Sequence, residues 1–310
     1  MRIAIIGRSE YLYQTMQLLN DLGYRIPLIV TAKETLEYKH KATDFAEFAQ
    51  QINATFLHQP KLKIQDISEL PCTIEGLDIA VSINYSGIIP KDVINVFRLG
   101  ILNLHAGDLP RYRGNAPVAW AMLNHESHVG LCVHRMIGGE LDSGDIVCRE
   151  YFPLHLNTRI QEVFQWIGGR APEMMLNAVR NLDFDPNYVL QKQSKDAKSA
   201  LRGYPRIPLD ARIDWSRSNV DILKLINVSS EPFSGAFCVH NEDQLTIWRA
   251  DIVEDDERYC AVPGQISDVG NDGSVVVITG KGKIRLSEVS LAGSRTVAAG
   301  IIKSTRTRLR

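Results

Sequence analysis

Short apolar runs alternate with longer stretches of helical period through the first two-thirds of the chain. Arg2 to Ile6 is a compact apolar run ended by Gly7. Tyr11 to Leu22 carries Met16, Leu18, Leu19 and Leu22 at helical spacing, and Gly23 follows as a stop signal. Ile26 to Val30 reads as a second buried strand, and Thr43 to Ile52 as a helix with Phe45, Phe48 and Ala49 on one face. Leu77 to Ile83 is again strand-like. Lys91 to Phe97 predicts a short helix, and Gly100 to Leu104 the next strand. Ala116 to Leu123 predicts a helix with Pro117 early, where a helix tolerates it. Val129 to Met136 and Ile146 to Tyr151 read as strands, and Ile160 to Val179 as a long amphipathic helix. This βαβα alternation predicts an α/β fold with a doubly wound, mostly parallel, Rossmann-like sheet.

The pattern changes near residue 190. Gln191 to Arg206 is polar and basic, which suits a linker. Ser218 to Val228 reads as one helix. Short strands follow at Gly235 to His240, Gln244 to Val253, Gly264 to Asp268, Ser274 to Thr279 and Lys283 to Val289. Asn271-Asp272-Gly273 and Gly280-Lys281-Gly282 separate the last of them as turns. The expected organisation is a domain over 1–190, a linker over 191–206, and a small OB-like β-barrel domain over 207–310.

Composition narrows the function classes. The chain has 310 residues, 45% of them hydrophobic, with 35 basic against 36 acidic side chains and a net charge of −1. Coating of nucleic acid needs a basic excess, so no nucleic-acid partner is expected. No apolar run approaches the ~20 residues of a membrane span, so no membrane partner is expected either. The five cysteines are scattered without a CxxC pair, and no metal-ligand spacing is present. His125 and His128 flank Glu126-Ser127, which is not a metalloprotease pattern and reads as a solvated loop. His134 reads as a satisfied core histidine, and the cationic tail Lys303, Arg306, Arg308, Arg310 as a solvated end. The apolar start is too short for a signal peptide, so a cytoplasmic location is the expectation.

The first βα turn, Gly7-Arg8-Ser9-Glu10-Tyr11, has one glycine. A pyrophosphate cannot approach such a turn as it does GxGxxG, which disfavours an NAD enzyme, and no P-loop pattern occurs. The informative stretch is Ile101 to Gly114. Asn103 and His105 stand two apart on a strand and so share a face, near the carboxyl end of a parallel sheet where α/β folds bind ligands. An amide and an imidazole there could stabilise an oxyanion and move a proton, or could be a structural hydrogen-bonding pair. Gly138 to Asp145 is a glycine-flanked acidic loop from which Asp142 could reach His105 and raise its pKa, or which could be a plain turn.

With Asn103-Leu104-His105, Leu109-Pro110-Arg111-Tyr112-Arg113-Gly114 and Leu141-Asp142-Ser143-Gly144-Asp145 in that order, the chain resembles the folate-dependent formyltransferases. Ile213-Asp214-Trp215 and Pro232-Phe233-Ser234-Gly235-Ala236 extend the resemblance into the C-terminal part. The resemblance implies N10-formyltetrahydrofolate as co-substrate and a primary amine as acceptor, with no metal. It implies that Asn103 stabilises the oxyanion, that His105 shuttles a proton from the attacking amine to the folate nitrogen, and that Asp142 orients His105. The family's pterin slot corresponds to Gly87, Ile88 and Ile89 with Gly139, Glu140 and Leu141.

The family divides by acceptor. The methionyl-tRNA enzymes usually show a GTPxFA-like first turn and a basic loop after the second strand, whereas Thr31 to Lys41 here mixes two glutamates with three lysines. Ala106-Gly107-Asp108-Leu109-Pro110 after His105, and His134-Arg135-Met136, are more similar to the sugar N-formyltransferases. The resemblance therefore points to a nucleotide-linked 4-amino sugar of surface polysaccharide, such as lipopolysaccharide, as acceptor. The alternatives are methionyl-tRNA and a non-catalytic folate- or nucleotide-binding module. A homodimer is a further expectation from the sugar enzymes. Some relatives carry a fused decarboxylase domain, which is not expected in a chain ending at Arg310.

Overall fold

The structure, a computed structural model, describes residues 1–33, 38–70 and 76–310. The mixed-charge residues 34–37 of the second loop and Cys72 lie outside the described residues. Strands β1 (Arg2–Gly7), β2 (Arg25–Thr31), β3 (Thr55–His58), β4 (Ile79–Ile83), β5 (Ile101–His105), β7 (His128–Arg135) and β8 (Ile146–Pro153) form one sheet in the order β3-β2-β1-β4-β5-β7-β8. The pairings from β3 through β5 are parallel, and β7 runs antiparallel to β5. Helices α1 (Glu10–Asp21), α2 (Ala42–Gln51), α3 (Ile64–Ser68) and α4 (Lys91–Ile94) connect the parallel strands. The doubly wound, mostly parallel sheet expected from the alternation is present.

Local chemistry explains these elements. Ile3, Ala4, Ile5 and Ile6 are all buried, because a central parallel strand has both faces covered. Leu12, Met16 and Leu19 line the buried side of α1 at intervals of three and four. Pro27 has no N–H to give the ladder, and the register of β2 on β1 slips by one residue there, from Arg2 opposite Arg25 to Ala4 opposite Leu28. α5 (Pro117–Leu123) and α6 (Ile160–Phe184) complete the larger helices of the first two-thirds.

The second large sheet is antiparallel and contains β10 (Ala236–His240), β11 (Asp243–Val253), β14 (Lys283–Leu291), β13 (Val275–Ile278) and β12 (Ile266–Val269) in that spatial order, with β15 (Ser294–Val297) paired to β14. α7 (Asn219–Ser229) and α8 (Ala298–Ile301) accompany it. Trp215, Ile222, Ile226, Ile247, Val277, Leu286 and Leu309 are among its core. The C-terminal end is not simply solvated: Leu309 is buried, and Arg310 and Val239 exchange both backbone hydrogen bonds at 2.7 and 3.0 Å. β15 has no buried residue, so no hydrophobic alternation announces it.

Two compact units divide the chain. The first is residues 1–117, 128–152 and 164–204; the second is 118–127, 153–163 and 205–310. Residues 191–204 are not a free tether. Gln191 pairs with Ile146, and β9 (Arg202–Gly203) pairs in parallel with β6 (Arg113–Gly114). Among the described residues no helix is long and apolar enough to cross a membrane.

Gly7 ends β1 at φ +135°, and a Cβ there would fall 2.0 Å from the Ile83 carbonyl oxygen. Gly7→Ala is expected to lower the free energy of unfolding by about 2 kcal/mol or more, because both the conformation and the close approach are forbidden to alanine. Urea unfolding checks this; an unchanged midpoint contradicts it.

Candidate active site

The site forms where β5 and β7 lie side by side. Asn103 stands directly opposite His134, and His105 opposite Cys132. The Asn103 Nδ2 lies 3.1 Å from His134 Nε2. His134 Nδ1 lies 2.9 Å from the Arg135 carbonyl, which only accepts, so that nitrogen carries the proton. Nε2 is then the acceptor, and one N–H of the Asn103 amide donates to it. The second amide N–H has no partner among the described residues and is available to a ligand oxygen.

Asp142 enters from the loop after β7, in the left-handed region at φ +48°. Its Oδ2 lies 3.6 Å from His105 Nδ1 and accepts from the Gly114 amide at 2.8 Å. Its Oδ1 lies 3.4 Å from His134 Nε2. Burial works against the charge, yet His105, His134 and the Gly114 amide together hold the Asp142 carboxyl far below the usual carboxylate range. Asn103, His105 and Asp142 are thus brought together.

His105 is buried, and both ring nitrogens face acceptors. Nε2 donates to the Tyr112 carbonyl at 2.7 Å, while Nδ1 faces Asp142. The pKa of His105 nonetheless goes down, because burial outweighs the attraction of Asp142 and the hydrogen bond to Tyr112. This corrects the expected upward shift: Asp142 pulls upward, but loss of solvent pulls harder. The reading of His134 as a satisfied core histidine holds, since both ring nitrogens are partnered, but its place beside the site is a further finding. His134 is 1% exposed, and its ring touches Asn103 and faces Asp142.

The two expected slot segments adjoin. A Cβ on Gly138 would come 2.6 Å from Cα of Lys91, so the second loop packs against the chain just after Ile89. Ile89 is buried, whereas Ile88 is 82% exposed and Leu141 42% exposed. A Cβ on Gly87 would come 2.7 Å from the Pro60 carbonyl oxygen, Gly139 takes left-handed backbone at φ +81° with open space beside it, and Glu140 accepts from the Ser143 hydroxyl at 2.5 Å. Exposed apolar side chains beside bare backbone suit a flat ring with amide-like edges. Asp108, by contrast, is committed to its neighbours. It accepts from the Tyr151 hydroxyl at 3.2 Å and lies 3.7 Å from Arg149 and 3.6 Å from His128. His125 pairs with Asp221 at 2.8 Å. No group of three metal-ligating side chains occurs among the described residues.

An amide, an imidazole and a carboxylate at the carboxyl edge of a Rossmann-like sheet describe a group-transfer enzyme, with donors for an oxyanion and a base for a proton. Residues 1–179 match the formyl transferase family and residues 207–305 match its C-terminal domain. The chain belongs to the formyl transferase family and is a formyl-transfer enzyme. It is similar to the methionyl-tRNA formyltransferase of Pelotomaculum thermopropionicum, 28% identical over 97% of this chain and 94% of that protein. In fold it is similar to WlaRD, a sugar 3N-formyl transferase, with TM-score 0.68 and 17% identity over 95% of this chain and 98% of that one. HypX from Aquifex aeolicus matches with TM-score 0.61 and 16% identity over 98% of this chain, which spans 47% of that protein.

A carboxyl held below its ordinary pKa adds stability that is present above the unfolded value of about 3.9 and is lost as the pH falls below it. Taken from pH 5 toward pH 3, the parent protein is therefore expected to lose more unfolding free energy than Asp142→Asn, which starts less stable. Urea midpoints across that range check the sign; parallel losses in the two proteins contradict it.

Proposed function

We propose that the protein transfers a formyl group from N10-formyltetrahydrofolate to the amine of a nucleotide-linked amino sugar, of the 4-amino-4-deoxy or 4-amino-4,6-dideoxy type. The formyl donor is N10-formyltetrahydrofolate, as in the folate-dependent members of the family. The observation that carries the chemistry is the meeting of Asn103, His105 and Asp142 at one edge of the sheet. Gly87, Ile88, Ile89, Gly139, Glu140 and Leu141 would hold the pterin.

The residues then divide the reaction. Asn103 directs its second N–H at the formyl oxygen as the amine adds to the formyl carbon and negative charge grows there. His105 carries the proton released by the attacking nitrogen to N10, whose bond to the formyl carbon breaks. A formamide and tetrahydrofolate result. A buried imidazole with lowered pKa is neutral near pH 7, so it can take the proton; Asp142 stabilises the cation formed in passing. The acceptor reading rests on the even charge balance and on the loop from Ala106 to Pro110. WlaRD, which is described as acting on a sugar, supports it through the fold alone.

One observation favours a second reading. The relatives sharing 27–28% identity over nearly the whole chain are methionyl-tRNA formyltransferases. The test is formyl transfer from N10-formyltetrahydrofolate to UDP- and dTDP-linked 4-amino sugars, with methionyl-tRNA alongside and His105→Ala as control. Turnover on a sugar, reduced about 100-fold or more in the control, is the expected result. Turnover on tRNA alone would replace the acceptor and keep the mechanism.

A further inference from the structure

Gln193 lies in the polar segment that follows the long helix, far in sequence from Asn103, His105 and Asp142. It is only 8% exposed. Its Nε2 donates to the Asp142 carbonyl at 2.9 Å and to the Gly144 carbonyl at 2.6 Å. Its Oε1 accepts from Arg113 Nη2 at 2.8 Å and from Nε at 3.3 Å. The orientation of this amide is unambiguous: carbonyls only accept, and a guanidinium only donates. Both N–H groups and both lone pairs of the amide are used.

The groups it joins belong to the two loops that make the site. Tyr112, just before Arg113, holds Nε2 of His105, and Gly114, just after it, holds Oδ2 of Asp142. The same connecting segment grips the first loop again by backbone. The Arg113 amide donates to Leu201 and the Asn115 amide to Gly203, at 2.9 and 3.0 Å. A Cβ on Gly114 would come 2.6 Å from the Gly203 carbonyl, so the approach is close.

We infer that Gln193, together with Arg113, is a positioning residue for the proton-transfer pair: its amide clamps the 112–114 loop to the 142–144 loop and so sets the placement of Asp142 against His105. This inference rests on the proposed roles of His105 and Asp142. No shorter or charged side chain meets the same demands. Alanine leaves two buried carbonyls and a guanidinium without their partner. Glutamate suits Arg113 but turns an oxygen toward the Asp142 and Gly144 carbonyls.

The experiment is a double-mutant cycle on formyl transfer with N10-formyltetrahydrofolate and the acceptor that the parent enzyme uses. Gln193→Ala is expected to lower kcat about 10- to 50-fold while the KM for the folate stays within about twofold, since the clamp acts on chemistry rather than on the slot. Asp142→Asn is expected to lower kcat about 100-fold or more, and adding Gln193→Ala to it should cost less than a further threefold. Gln193→Glu should be no better than Gln193→Ala. If the losses multiply, or if Gln193→Ala keeps the parent kcat, Gln193 does not act through Asp142 and the inference fails alone. If Asp142→Asn itself keeps the parent rate, the proposed roles fail and the inference with them. Should Gln193→Ala not fold, Arg113→Gln enters the same cycle from the other side of the clamp. A lowered kcat that vanishes in the Asp142→Asn background supports the clamp, and independent losses overturn it.

Discussion

The site depends on keeping one carboxylate charged inside the protein. Asp142 is largely removed from water, and an isolated buried carboxylate would take up a proton instead. It stays ionised because three groups converge on it: the Gly114 amide donates to Oδ2, and the His105 and His134 rings lie 3.6 and 3.4 Å from its oxygens. Each comes from a different place in the chain. Hence the positions of β5, β7 and the 106–114 loop are all constrained by the same two oxygen atoms.

The fold supplies these constraints in steps. Parallel pairing brings β4 and β5 together, and the antiparallel β7 then places His134 directly opposite Asn103. Because β7 runs the other way, its C-terminal residues meet the start of β5. The loop that follows must therefore fold back to present Asp142. Left-handed backbone at Asp142 and at Gly139 makes that return. The segment after the long helix closes the arrangement from outside, through Gln193 and the short pairing of β9 with β6. A stretch that reads as a linker is therefore tied into the loops of the site.

How much of this was legible depends on whether the signal was local. The parallel strands were readable because central strands are apolar throughout, and α1 and α2 because their buried faces repeat at helical spacing. Asn103 and His105 were readable because a period of two puts them on one face, and Asp142 because its glycine-flanked loop is distinctive. His134 was readable as a buried, satisfied histidine, but not as the cross-strand partner of Asn103, since register leaves no mark in a single strand. Gln193 was hidden for a similar reason: a polar segment looks solvated until its long-range partners are known. The direction of the His105 shift was missed because the attraction of a carboxylate can be guessed from sequence, whereas the depth of burial cannot. β15 escaped because an exposed edge strand carries no apolar alternation.

The acceptor end is the part on which family and fold diverge, because relatives of similar sequence act on methionyl-tRNA and a protein of similar fold acts on a sugar. Under the proposed reading, formyl transfer needs only the shared core, in which the neutral His105 imidazole would take a proton and the buried Asp142 would steady the charge so formed. The most direct test of that core is the titration of His105 followed by ring-nitrogen NMR in the parent protein and in Asp142→Asn. The account predicts a midpoint below the ordinary 6.5 in the parent and a lower one still in Asp142→Asn, because burial remains when the attraction is removed. A midpoint that stays put or rises on removing the carboxylate would contradict it.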